Sequence, residues 1–150
     1  MKYIKLFENW QSFEYWPDTI LEHGIRRGQV LDVYHGSPSK ELRVTSEPIH
    51  VGTSEQTDTR IDSLWNESPV FYEHGIRIRL ADPCPRILYG VDLGVGHELS
   101  DFTQYGDYNE FVYHNEVEGY PEEEGNLSIF IVDFSRSYLS SRLIAEIHTQ

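Results

Sequence analysis

The sequence predicts an α+β fold. Short runs of β-branched and aromatic residues recur as strands, and only two or three short stretches carry helix signals. The 150 residues suit one domain, and 39% hydrophobic and 13% aromatic residues supply a core for it. No domain boundary stands out, so residues 1–150 are expected as one unit, with the first 28 an added helical segment.

A short helix is expected over Asp18–Gly28, after Pro17, with Gly24 or Gly28 ending it. Val30–Tyr34 reads as a strand, broken by Gly36-Ser37-Pro38-Ser39. Pro48–Val51 is a second strand. Thr53 or Ser54 caps a helix running to about Trp65, with Ile61, Leu64 and Trp65 as its apolar side. Val70–Ala81 is the longest strand; Ile76, Ile78 and Leu80 alternate with Arg77 and Arg79, so one face is buried and the other wet. Asp82-Pro83-Cys84-Pro85 ends it. Arg86–Tyr89 is a short strand, and Gly90–Tyr108 a glycine-rich loop with one helical turn. Asn109–His114, Leu127–Val132 and Leu143–His148 are the remaining strands. The pentapeptide Glu-His-Gly-Ile-Arg occurs at 22–26 and 73–77, in different contexts, and reads as coincidence rather than repeat.

Charge narrows the partners. Twelve basic residues against 25 acidic give a net charge of −13. That argues against binding nucleic acid through phosphates and against an anionic membrane surface. No Lys or Arg lies between Arg86 and Arg136, an interval rich in Asp and Glu. It reads as a solvated acidic surface, as a face that binds a basic partner or imitates nucleic acid, or as the source of one or two catalytic carboxylates. Cys84 is the single cysteine, which excludes an intramolecular disulfide and a multi-cysteine metal site. No stretch has the length of a membrane span or the core of a signal peptide, so a cytoplasmic protein is expected. The seven histidines show no zinc-ligand spacing, and no metal is expected.

Three places suit chemistry. In Tyr34-His35-Gly36-Ser37, an imidazole stands beside a residue without a side chain, where a ligand amide can approach the main chain. The plain alternative is a tight turn. Gly52-Thr53-Ser54 offers hydroxyls and N–H groups at a helix start; the plain alternative is an ordinary cap. Asn115-Glu116-Val117-Glu118-Gly119 places two carboxylates on one face if the strand continues. Such a pair suits a positive, oxocarbenium-like centre, in a transferase or a sugar hydrolase, or is simply an acidic turn.

The order of these pieces resembles the ADP-ribosyltransferases of the His-Tyr-Glu type. Val33–Ser37 resembles their first motif, and Ile49–Ser54 with the following helix their second strand and helix. Gly75–Pro83 resembles a long strand ending in Asp-Pro in phage-associated members. Tyr108–Gly119 with Ser128–Asp133 resembles their C-terminal signature. The resemblance covers roughly residues 30–140, and MKYIKLFENW is similar to the start of many tailed-phage proteins.

The resemblance implies two small, mostly antiparallel sheets forming an NAD cleft, with a few short helices. It implies that Gly36 pairs its main chain with the nicotinamide amide and that His35 holds a ribose hydroxyl. Ser37, Gly52, Thr53 and Ser54 complete the NAD site, and Tyr72 stacks on the ring. A carboxylate then holds the nicotinamide-ribose 2′-hydroxyl. The family position for it falls on Ser128, which cannot serve, so Glu118 ranks first, then Glu116, then Glu110. The second motif lacks the usual Tyr. The expected function is mono-ADP-ribosyl transfer from NAD to a host protein, as a phage effector or anti-defence protein. The alternative is a catalytically inactive acidic module on the same fold that blocks a basic nucleic-acid-binding partner.

Overall fold

The computed structural model describes residues 3–6 (as backbone), 15–82, 85–88, 98–115 and 126–149. They form eight strands and four short helices: β1 (Tyr3–Leu6), α1 (Trp16–His23), β2 (Val30–Ser37), β3 (Ile49–Val51), α2 (Ser54–Leu64), β4 (Val70–Arg79), β5 (Arg86–Leu88), α3 (Leu99–Thr103), β6 (Glu110–His114), β7 (Leu127–Ile131), α4 (Phe134–Ser137) and β8 (Tyr138–Thr149). One sheet has the order β1-β8-β4-β2, the other β3-β7-β6-β5. Every pairing within them is antiparallel except β5 with β6. The α+β class with two small sheets is therefore as the sequence indicated.

The main core lies between the sheets. Leu31, Val33, Ile76 and Ile78 point inward from the first sheet and meet Val51, Val112, Leu127, Ile129 and Ile131 of the second. The strict alternation in β4 produces this, because Ile76 and Ile78 sit opposite Val33 and Leu31 and share their face. Each such buried side chain contributes about 1.5–3 kcal/mol over its exposed state. Trp16 and Ile20 of α1 join the same core. The outer face of the first sheet is covered by α2, through Ile61 against Phe71, Ile144 and Ile147. The outer face of the second is covered by α3, whose Phe102 stacks on Phe130 at 4.1 Å between ring centroids.

Several boundaries differ from expectation, each for a local reason. Helix α1 begins at Trp16, takes Pro17 into its first turn and ends at Gly24, whose φ of +74° only glycine adopts cheaply. Strand β2 runs through Gly36 and Ser37, because β4 pairs with it as far as Ser37–Tyr72. Trp65 stands 46% exposed and is no part of the apolar side of α2. Arg77 is not simply wet: Asp32, directly opposite and buried, accepts from its Nε at 2.7 Å and its Nη2 at 3.1 Å. Strand β8 starts five residues earlier than Leu143, and the N-terminal segment supplies a strand, β1, as well as a helix. Cys84 and the Gly90–Gly96 stretch lie outside the described residues.

Candidate functional site

Among the described residues, the strands of the two sheets join by main-chain hydrogen bonds at one place. Tyr34 and Gly52 exchange both main-chain bonds, at 2.8 and 3.0 Å, so β2 and β3 start an antiparallel ladder. The next rung of that register would join Gly36 to His50. It does not form. Instead His35 Nδ1–H donates to the His50 carbonyl at 2.7 Å. The imidazole takes the carbonyl that Gly36 would have used. Main-chain groups alternate in direction along a strand, so those of Gly36 point the same way as those of Tyr34, away from β4. Among the described residues no hydrogen bond meets them on that side. Gly36 is buried, and a buried main-chain pair calls for a partner.

A carbonyl can only accept, so Nδ1 of His35 carries the proton and Nε2 the lone pair. Burial drives the His35 pKa down to about 4, against the raising effect of the bond to His50, with further lowering by Arg60 and His74. The ring is neutral at pH 7. His74 lies directly opposite His35 on β4 and donates from Nε2 to the Ser39 carbonyl at 3.2 Å. Burial lowers its pKa too.

Helix α2 sits over the same end of β2. A Cβ on Gly36 would lie 2.7 Å from Thr57 Cγ2, so helix packing alone demands glycine there. Glu73, fully buried, stands opposite Gly36 on β4, and Ser54 Oγ donates to its Oε1 at 2.8 Å. Tyr72 is half-buried and opposite Ser37. A cleft of about 170 Å³ opens beside the strand end, lined by His35, Gly36, Ser37, Arg60, Ile61 and Phe71 among others. It has room for one ring-sized group and not for a whole dinucleotide. A wider hollow of about 410 Å³ at Trp65–Pro69 and Thr149 contains none of these groups.

Beside Gly52, four buried polar side chains close a ring. Gln56 Nε2 donates to Asn126 Oδ1 at 3.1 Å, and Asn126 Nδ2 donates to the Asn115 carbonyl. Asn115 Nδ2 donates to Ser128 Oγ at 3.0 Å, and Ser128 Oγ to Gln56 Oε1 at 3.0 Å. Gln56 Oε1 also accepts from Thr53 N, while Thr53 Oγ1 accepts from Gln56 N, a reciprocal cap on α2. Ser128 thus has neutral neighbours, and the ring itself contains no carboxylate.

No protein family, curated protein or solved structure matches this chain.

The structure brings His35, Gly36, Ser37, Gly52, Thr53 and Ser54 together between β2, β3, α2 and β4, and sets Tyr72 opposite Ser37 on the face of β4 away from Phe71. Thr53 and Ser54 also have plain structural duties there, as cap and as partner of Glu73. Glu116 and Glu118 lie outside the described residues, between Asn115 and Asn126. Glu110 is elsewhere. It is buried at the far end of β6, accepting from Ala81 N at 2.9 Å, Asn109 Nδ2 at 2.8 Å and Ser137 Oγ, and it ties β6 to α4. Its oxygens serve the fold. Sequence reasoning missed Glu73, Gln56, Asn115 and Asn126. Only Gln56 had a legible signal, Thr53-Ser54-Glu55-Gln56 being a capping-box spacing.

Proposed function

We propose that this chain is an NAD-dependent mono-ADP-ribosyltransferase acting on a protein. The observation that carries this reading is the open main-chain edge of Gly36, beside the ring of His35 and the cleft. An N–H and a C=O on one strand edge are the complement of a primary carboxamide, which nicotinamide bears. His35, with Nδ1 engaged, offers Nε2 to a ribose hydroxyl. Tyr72 is the stacking residue that the resemblance implies; it stands on the face of β4 opposite to Phe71, which lines the cleft. In the reaction, the acceptor attacks the anomeric carbon of the nicotinamide ribose, the carbon–nitrogen bond breaks and nicotinamide leaves. Glu118, with Glu116 second, is the carboxylate assigned to the ribose 2′-hydroxyl and the developing cation. Catalysis on this reading is electrostatic and positional. The acceptor is a host protein if the chain is phage-borne, as a cytoplasmic effector or anti-defence protein.

The test is incubation of the pure protein with NAD and a host lysate, followed by mass spectrometry for added ADP-ribose. Labelling that disappears in Glu118→Gln supports the assignment. Full labelling in both Glu118→Gln and Glu116→Gln removes these two residues from the site. No label together with no NAD binding removes the enzyme.

A second reading has an observation of its own. Ser128 stands where the resemblance puts the carboxylate, locked among Gln56, Asn115 and Asn126. That favours a catalytically inactive acidic module that binds a basic partner. It predicts no NAD turnover and a complex that weakens steeply with salt.

A further inference from the structure

The cleft beside Gly36 has a charged rim. Arg60 follows Thr57 by one helical step, and Thr57 is the residue lying against Gly36. Arg60 therefore projects from the side of α2 turned toward the strand end, and it lines the cleft with Ile61, Leu64 and Phe71 as the apolar floor. Its charge reaches His35, where it disfavours a second positive charge. Glu67 is a carboxylate that lines the same cleft. The chain as a whole carries a net charge of −13, which opposes the approach of an anion. A ligand that carries negative charge needs a local cation to overcome that field. Arg60 is the one cation, among the described residues, that lines this cleft.

We infer that Arg60 is the specificity-determining residue of this cleft: it binds the phosphate of a ligand whose neutral amide end pairs with the main chain of Gly36. This rests on the reading of the corner as an NAD site. The guanidinium offers a planar fork to a phosphate, and its long stem lets the head stand at the rim while the ring-sized group fills the floor. The amide end is read by the strand edge and carries no charge. The two ends of the ligand are thus recognised by different elements, β2 and α2, and are separable by mutation.

The experiment is calorimetric titration of the full chain with NAD and, separately, with nicotinamide, at low and at moderate NaCl. Wild type, Arg60→Gln and Arg60→Lys are compared, with thermal unfolding confirming that the exposed substitution leaves the fold intact. The expected result is NAD affinity lowered about tenfold or more in Arg60→Gln, the loss of a charge-assisted contact. Arg60→Lys restores part of it, nicotinamide binds all three alike, and the salt dependence of NAD binding shrinks in Arg60→Gln. Unchanged NAD affinity in Arg60→Gln overturns the inference and leaves the NAD site standing. Equal losses for nicotinamide and NAD also overturn it, because Arg60 then shapes the cleft and does not read charge. A wild type that binds neither compound overturns the NAD site itself, and this inference with it.

Discussion

His35 and Gly36 are neighbours with opposite tasks. One ends a ladder by taking a carbonyl; the other has, among the described residues, no partner on its outer edge. The sequence reads His-Gly as a place for ligand approach, and the structure puts the end of the β2–β3 ladder there. What was not legible is that Gly36 is also required by Thr57, which lies 21 residues away in sequence and meets it only after α2 has folded over β2. Gly36→Ala is expected to destabilise by about 1–3 kcal/mol through overpacking, read by urea unfolding. Thr57→Ser removes the clashing methyl, so the double variant should recover most of that loss; a purely additive double variant would show that the contact is not the cause. His35 makes a pH prediction. Its folded pKa, about 4, lies below the ordinary 6.5, so the unfolded chain binds its proton more readily. Stability is complete above pH 6.5 and falls as pH drops toward 4, with a slope from this group of up to about 1.4 kcal/mol per pH unit. His74 acts in the same direction. His35→Gln should flatten the fall relative to wild type, as followed by unfolding across pH 4–7; equal slopes would sink the assignment.

Elements show where local signals suffice. The start of α2 was readable from Thr53 and its apolar follow-up, and the cap is there. The pentapeptide Glu-His-Gly-Ile-Arg makes the opposite point. At 22–26 it ends a helix, with Gly24 at φ +74°; at 73–77 it is the middle of β4. Identical residues take two structures because β4 is paired on both sides, with β2 and β8, while Gly24 merely closes a helix end. The Asn126 and Ser128 partners of Gln56, and Asn115 behind Ser128, were illegible for the same reason, since only β-sheet register brings them to α2. Gln56→Ala removes half of the cap and opens the ring of amides. A loss of about 2 kcal/mol or more is expected, from the cap and from buried polar atoms left unmet. Calorimetric unfolding would read it; a loss of a few tenths would mean that water repairs the ring.

At the scale of the molecule, the α+β class was legible, because pattern and turn chemistry are local. The joining of the sheets through one rung and one imidazole was not, because it depends on strands of different sheets meeting. Charge is a property of the whole. With −13 distributed over 150 residues, self-repulsion opposes the compact state at low ionic strength. The melting temperature is expected to rise when NaCl is raised from about 10 to 150 mM, as screening shortens the reach of those charges. A falling melting temperature would mean that attractive pairs such as Asp32–Arg77 outweigh the repulsion.

Strand β8 lies between β1 and β4 and contributes the last of the described residues. During synthesis the β2–β4 pair therefore emerges well before the second neighbour of β4 exists. Until residues 138–149 have left the ribosome, β4 presents an unpaired flank, and β1 waits with no partner at all. Closure of the first sheet is a long-range event, and between the synthesis of β4 and that of β8 the nascent chain carries an open strand edge.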